Sequence, residues 1–201
     1  MKFALAILAG YLIGCFSTAD TVGRVRHVNI HKTGTGNPGA SNVTFVLGWK
    51  MGLLVGGVDI LKGTLATFLT ILITGELSLG VCAGCGCILG HMYPFYLKFK
   101  GGKGFATLIG VFFGFDWRFA FLAVFFIFLI TLITDYIVLA TLTTTVLFPL
   151  RAYVRAETVW VLLAVLPVVV IMFLKHRTNL YRIFVAKSGE KGFSLLFRKD
   201  R

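Results

Sequence analysis

The chain has 201 residues, of which 57% are hydrophobic and 14% are charged, and its formal net charge is +12. Apolar runs recur from one end to the other, which excludes an ordinary soluble domain. The basic residues stand at the ends of these runs rather than in a separate basic domain. In that position they orient a membrane protein and attract anionic lipid or phosphate, so we expect no nucleic-acid partner.

Seven apolar segments predict an all-α, polytopic membrane helical bundle that forms one integral-membrane domain, residues 1–201. The first segment follows Lys2 and has no small-residue cleavage site behind it, so we interpret it as a span and not as a signal peptide. Asp116 and Asp135 divide the long apolar stretch of the second half, which argues against a five-span alternative. The predicted spans are residues 3–22, 51–73, 78–97, 105–114, 117–134, 136–150 and 157–174. The fourth and sixth are shorter than the about 20 residues that cross a bilayer, so we expect them to be tilted or covered by neighbours.

Three polar segments interrupt the apolar pattern. The first polar segment is HKTGTGNPGASN (residues 31–42), the second is KFKGGKGFAT (98–107) and the third is HRTNLYRIFVAKSGE (176–190). Seven spans place all three on one side, where fourteen Lys and Arg residues lie, against four at the opposite span ends. The positive-inside rule then predicts cytoplasmic polar segments, an N-terminus outside and a cytoplasmic C-terminus.

The first polar segment combines glycines with short polar side chains. Glycine permits a close backbone approach to a ligand, and hydroxyl and amide groups can hydrogen-bond a phosphate or the loop itself. We expect four residues to do so: Thr35, Asn37, Ser41 and Asn42. The alternative is a simple turn in which Ser41 or Asn42 caps the next helix.

The second polar segment contains KGGKG (residues 100–104) directly before an apolar helix. Consecutive glycines at a helix N-terminus can expose backbone N–H groups to an anion, and Lys103 adds a full positive charge. The segment lacks the spacing of a Walker A motif. It predicts a phosphate site formed by Gly101, Gly102, Lys103 and Gly104, and the alternative is a basic turn at the membrane edge.

The third polar segment begins with His176 and Asn179, which share one face of a helix because they are three residues apart. His176 can exchange a proton near neutral pH, and Arg177 can bind a phosphate with two parallel hydrogen bonds. The alternative is a basic tail that binds anionic lipid.

Other polar residues lie inside the predicted spans. Asp59 and Lys62 are three residues apart and are expected to pair, because an unpaired charge in a membrane is costly; a structural and a functional role are both open. His91 is interpreted as a hydrogen-bonded packing residue. CAGCGC (residues 82–87) has no second Cys pair and no His at the usual spacing of a metal ligand, so its cysteines are expected to pack helices and no metal site is predicted.

Taken together, the three polar segments and DILKG (residues 59–63) resemble the acyl-phosphate-dependent glycerol-3-phosphate acyltransferases, the PlsY family of bacterial inner membranes. The resemblance covers essentially the whole chain, and Thr35 replaces a serine that is common in the family. It implies transfer of a fatty acyl group from acyl-phosphate to the 1-hydroxyl of glycerol 3-phosphate, which gives lysophosphatidic acid and phosphate. It further implies that Gly101–Gly104 bind glycerol 3-phosphate, that His176 and Asn179 are needed for activity, and that Glu190 is structural.

This reaction requires no cofactor and no acyl-enzyme, because acyl-phosphate is an activated anhydride and phosphate is a good leaving group. Either His176 or the phosphate of a substrate could take the proton. The HxxxxD pattern of another glycerolipid acyltransferase class is absent from the sequence. The alternative function is transport of a phosphorylated metabolite. Two observations argue against transport: all three polar segments are predicted on one side, and no internal repeat is evident.

Overall fold

The computed structural model describes residues 1–185, so Glu190 lies outside the described residues. The described residues form helices joined by loops and contain no β-strand, which confirms the predicted all-α fold. They fall into two compact units, Met1–Trp117 and the residues from Arg118 onward. The single-domain organisation stays a prediction.

The first unit is built around one buried helix. Its helices are α1 (Lys2–Cys15), α2 (Thr18–Val25), α3 (Ala40–Leu47), α4 (Trp49–Thr74), α5 (Leu77–Met92) and α6 (Phe105–Phe115). Helix α5 packs against α1, α4 and α6, and most of its residues are buried. Small residues permit this packing, because a Cβ atom on Gly10 or Gly14 of α1 would overlap the backbone of Ala83 or Cys87. The four cysteines are buried and have free thiols, as expected of packing residues.

The first predicted span is not one continuous helix. It breaks between α1 and α2, where the Ser17 hydroxyl caps α2 by accepting a hydrogen bond from the Asp20 backbone N–H at 3.3 Å. Side chains bond the freed peptide groups: Tyr96 Oη donates to the Cys15 carbonyl at 2.9 Å, and the Ser17 N–H donates to Tyr96 Oη at 3.1 Å. The sequence STAD (residues 17–20) carries the signal, a cap residue followed three positions later by an acidic residue.

The second unit contains α7 (Trp117–Thr134), α8 (Ile137–Ala156) and α9 (Trp160–Phe184), of which α8 and α9 pack together. Asp116 and Asp135 lie at helix boundaries, as predicted. The prediction of a short sixth span was wrong, since α8 has 20 residues and continues past Arg151. Arginine is a good helix former, and the Arg151 guanidinium lies 5.3 Å from the centre of the Phe119 ring.

Among residues 1–185, six helical stretches are long and apolar enough to cross a membrane. Helices α1 and α2 together form the first of these, Lys2–Val25. Helix α6 has 11 residues, which corresponds to about 16 Å, roughly half of the hydrocarbon thickness. Most of its residues are buried, and it packs against α4 and α5, so neighbouring protein covers it. The count of seven spans and their orientation stay predictions.

Candidate functional site

The first polar segment ends in helix α3, but neither Ser41 nor Asn42 caps that helix. Its N-cap is Gly39, with extended backbone angles and no side-chain cap. The capping alternative is therefore wrong. Ser41 lies in the first turn of α3 and is exposed, whereas Asn42 points into the protein and is 1% exposed.

Asn42 holds the first polar segment in shape. Its Oδ1 accepts a hydrogen bond from the Thr35 N–H at 2.7 Å, and its Nδ2 donates to the carbonyls of Ile30 at 3.2 Å and Thr33 at 3.1 Å. Gly34 has a φ of +63°, and a Cβ atom there would overlap Asn42 Oδ1. These contacts make Asn42 the centre of the loop, and its direct contact with a phosphate stays a prediction.

The remaining polar residues of this segment are more accessible. Thr35 is exposed and Asn37 is partly buried. The Asn37 N–H donates a long hydrogen bond of 3.4 Å to the Thr35 hydroxyl. Thr35, Asn37 and Ser41 thus carry hydroxyl and amide groups that a ligand can reach, and their role in substrate binding stays a prediction.

The second polar segment uses two glycine N–H groups within the protein. The Gly101 N–H donates to the Met92 carbonyl and the Gly102 N–H to the His91 carbonyl, each at 3.1 Å. The expectation that these two N–H groups face a phosphate was therefore wrong in this respect. The anion-binding elements that remain are Lys103, which is partly buried, and the first turn of α6 beyond its N-cap Gly104.

The first and second polar segments meet at Gly102. A Cβ atom on this residue would overlap Nε2 of His91 and would lie 3.0 Å from the carbonyl oxygen of Pro38. Only glycine leaves room for both neighbours, so packing alone requires it here. Two segments that are about 60 positions apart in the printed sequence therefore share one surface in the first unit.

A buried charged cluster lies directly beside this meeting point. Lys62 Nζ is 2.9 Å from Asp59 Oδ1, which confirms the predicted pair, and it is also 2.9 Å from His91 Nδ1. It donates as well to the Phe16 carbonyl at 2.8 Å, at the break between α1 and α2. The Thr18 hydroxyl donates to Asp59 Oδ1 at 3.3 Å. His91 is hydrogen-bonded as predicted, but its membership of this cluster was not predicted.

The third polar segment continues helix α9, so His176, Arg177 and Asn179 are helical. His176 is 4% exposed, and its Nδ1 lies 2.8 Å from the Met172 carbonyl oxygen. A carbonyl only accepts hydrogen bonds, so Nδ1 carries the proton and Nε2 of the neutral ring carries a lone pair. Arg177 is exposed and Asn179 is partly buried. Whether these residues meet the other two polar segments stays a prediction.

No group of three or more His, Cys, Asp or Glu side chains suited to a metal ion occurs within residues 1–185.

The sequence is similar to those of known acyltransferases. Residues 4–186 match the family described as glycerol-3-phosphate acyltransferase. The glycerol-3-phosphate acyltransferase 1 of Oceanobacillus iheyensis is 36% identical over 161 residues, which cover 76% of this chain and 78% of that protein. The glycerol-3-phosphate acyltransferase of Francisella philomiragia is 32% identical over 201 residues, with 100% and 98% covered.

The fold is also similar to a solved structure. The crystal structure of PlsY (YgiH), an integral membrane glycerol 3-phosphate acyltransferase in its glycerol 3-phosphate form, superposes with a TM-score of 0.87 at 29% identity. The superposition covers 99% of this chain and 100% of that one. The lysophosphatidic acid form of PlsY gives a TM-score of 0.84 at 30% identity, with 98% and 100% covered.

Proposed function

Because the chain belongs to the glycerol-3-phosphate acyltransferase family of integral membrane enzymes, we propose that its acyl donor is acyl-phosphate and that its acceptor is the 1-hydroxyl of glycerol 3-phosphate. The products are lysophosphatidic acid and inorganic phosphate, as in the first acylation step of phospholipid synthesis. The reaction takes place at the cytoplasmic face of a bacterial inner membrane. Because the family consists of acyltransferases, membership argues against the alternative function, transport of a phosphorylated metabolite.

The observation that carries this proposal is the meeting of the first and second polar segments at Gly102, beside Lys103 and the start of α6. A lysine ammonium and the N–H groups of a first helical turn are suited to a phosphate dianion. The accessible side chains of Thr35, Asn37 and Ser41 supply further hydrogen-bonding groups from the first segment. We assign this surface to the phosphate of glycerol 3-phosphate. Arg177, in the second unit, is a candidate phosphate-binding cation on its chemistry alone.

The transfer step needs positioning more than it needs a nucleophilic side chain. The 1-hydroxyl oxygen attacks the acyl carbonyl carbon, and a new carbon–oxygen ester bond forms. The bond between that carbon and the phosphate oxygen breaks, and inorganic phosphate leaves with the bonding electrons. The hydroxyl proton passes to a base. Holding two anionic substrates side by side lowers the barrier through orientation and charge stabilisation.

His176 is our candidate for that base, and Asn179 on the same helix face is our candidate for orienting the acceptor. The hydrogen bond from His176 Nδ1 to the Met172 carbonyl supports the assignment, because it leaves the lone pair on Nε2 of the neutral ring. The competing route is a proton transfer to a substrate phosphate, in which His176 only orients the acceptor. Asp59 and Lys62 take no direct part in the transfer step. Glu190, which lies outside the described residues, is assigned a structural role.

The donor is tested with purified protein and palmitoyl-phosphate. We expect phosphate release only when glycerol 3-phosphate is present, with formation of an equal amount of lysophosphatidic acid. Release at the same rate without the acceptor would indicate hydrolysis. Acyl transfer from palmitoyl-coenzyme A, without transfer from palmitoyl-phosphate, would contradict the proposed donor.

A further inference from the structure

The cluster of Asp59, Lys62 and His91 takes no direct part in the proposed chemistry, yet it lies directly behind Gly101–Gly104, the glycine-rich loop of the second polar segment. All three side chains are buried. A lysine ammonium has three hydrogens, and three acceptors surround Lys62 Nζ: Asp59 Oδ1 at 2.9 Å, the Phe16 carbonyl at 2.8 Å and His91 Nδ1 at 2.9 Å. The three acceptors therefore take all the donors of Lys62.

This arrangement fixes the tautomer of His91. An ammonium group only donates hydrogen bonds, so His91 Nδ1 must present its lone pair to Lys62. The ring proton consequently lies on Nε2, the atom that faces Gly102. Asp59 and Lys62 together carry no net charge, which allows the pair to remain ionised although it is buried.

His91 connects the cluster to the loop in two ways. Its backbone carbonyl accepts the Gly102 N–H at 3.1 Å, and its imidazole edge occupies the space where a Gly102 side chain would lie. Gly102 directly precedes Lys103, and α6 begins two residues later at Phe105. The His91 ring therefore packs against the residue that leads directly into Lys103 and the first turn of α6.

We propose that Asp59, Lys62 and His91 are positioning residues that set the glycine-rich loop for the phosphate of glycerol 3-phosphate. The inference rests on the proposed function insofar as that function assigns this loop to glycerol 3-phosphate. The cluster acts through Gly102 and does not touch the substrate. Its loss should therefore weaken glycerol 3-phosphate binding, with little effect on the donor.

The test uses a double variant, Asp59→Leu with Lys62→Met, in the full-length protein. Both charges are removed together, so no unpaired charge remains buried and the fold should persist. Labelled glycerol 3-phosphate is equilibrated by dialysis with purified protein in the absence of any acyl donor. We expect the Kd to rise about tenfold, equivalent to roughly one lost hydrogen bond, while the melting temperature stays close to wild type. We also expect the KM for palmitoyl-phosphate to remain unchanged.

Two substitutions of His91 separate positioning from bulk packing. In His91→Asn the side-chain oxygen can accept the Lys62 hydrogen in place of Nδ1, but the imidazole edge that faces Gly102 is lost. We therefore expect the Kd to rise as in the double variant, while the amount of folded protein stays near wild type. His91→Leu keeps an apolar body but no acceptor, and its Kd should rise as in the double variant. A purely structural role would lower the amount of folded protein in both variants and leave the Kd of the folded fraction unchanged.

A matched control lies on the same helix. The Thr64 hydroxyl bonds the Ile60 carbonyl at 3.0 Å and the Gly110 carbonyl at 3.1 Å, away from the cluster. Thr64→Val should leave the Kd unchanged, and an equal rise there would overturn the inference. A wild-type Kd in the double variant, together with weakened binding in Lys103→Met, would overturn it and leave the proposed function intact. Wild-type binding in Lys103→Met would overturn both.

Discussion

His91 in the first unit and His176 in the second are both buried, but they hold their imidazole rings in opposite ways. His91 Nδ1 accepts a hydrogen bond from Lys62, so its proton lies on Nε2. His176 Nδ1 donates to the carbonyl of Met172, one helical turn earlier, so its lone pair lies on Nε2. Nε2 is therefore a hydrogen-bond donor in His91 and an acceptor in His176.

The difference lies in what each ring is bonded to. His91 belongs to a network of charged and polar groups on three helices and a loop, and most of their hydrogen-bonding capacity is used inside the protein. The Nδ1 proton of His176 is held by the carbonyl of Met172 in its own helix, and this bond orients the ring. The arrangement of His91 suits a residue that maintains the local structure, and the arrangement of His176 suits a residue that takes up a proton.

The largest effect is expected from His176→Asn. If His176 is the base, kcat should fall about 10²- to 10⁴-fold, the range of general-base contributions, with a near-normal KM for glycerol 3-phosphate. The measurement is steady-state acyl transfer from palmitoyl-phosphate. The control is His27→Asn at an exposed residue with a φ of 54°, a conformation that Asn tolerates. A fall in kcat below about tenfold would assign the proton to a substrate phosphate instead.

Lys103→Met should act on binding in the first unit. Loss of one hydrogen bond to a charged group costs about 1.5–3 kcal/mol, which corresponds to roughly a 10- to 150-fold rise in the Kd for glycerol 3-phosphate. Equilibrium dialysis without donor measures this change. Lys100→Met is the matched control, because Lys100 is exposed in the same loop. Equal losses in the two variants would show that the loop supplies only general positive charge.

Asn42→Ala should reduce stability more than it reduces turnover of the folded enzyme. The substitution removes three hydrogen bonds of the first polar segment, and a buried unpaired group costs about 1–3 kcal/mol. Thermal unfolding in detergent should therefore show a clear fall in melting temperature. Asn37→Ala should leave the melting temperature near wild type and lower acyl transfer, because the Asn37 side chain is accessible. The reverse pattern would exchange the roles of the two asparagines.

The smallest effect is expected from Thr18→Val, at the edge of the His91 network. The Thr18 hydroxyl donates a long bond of 3.3 Å to Asp59, which keeps its shorter contact with Lys62. We expect a stability loss of about 0.5–1.5 kcal/mol and an unchanged Kd for glycerol 3-phosphate. A Kd change as large as that of the double variant would place Thr18 among the positioning residues.

Much of the fold follows from local sequence signals. The apolar runs correspond to helices, and the polar residues between the runs mark helix ends. Asp116 and Asp135, for example, both lie at helix boundaries. The errors arose where tertiary contacts override local pattern. The apolar pattern predicts a span that ends at residue 150, but a helix tolerates Arg151, whose side chain packs on Phe119. The Ser17 cap marks the start of α2 locally, but the peptide groups freed at the break are bonded by Lys62 and Tyr96, far along the chain.

The candidate site shows the same division. The spacing of Asp59 and Lys62 on one helix was enough to predict their pair. His91 lies on a different helix, and its position relative to Lys62 depends on how α4 and α5 pack. The intramembrane charges were still a usable signal, because a buried lysine needs acceptors beyond one carboxylate. The two glycine N–H groups that bond to α5 carried no such signal, since a glycine-rich sequence does not show where its N–H groups point.

The break in the first membrane span also bears on the order in which the protein is assembled. The Cys15 and Phe16 carbonyls and the Ser17 N–H receive their partners from Lys62 and Tyr96, which leave the ribosome much later. Unsatisfied peptide groups are costly in hydrocarbon. We therefore expect residues 2–25 to enter the bilayer as one continuous helix and to break only when α4 and α5 have inserted beside it. The first polar segment starts six residues after α2. It therefore reaches its final position only after α4, α5 and the start of the second polar segment have been synthesised.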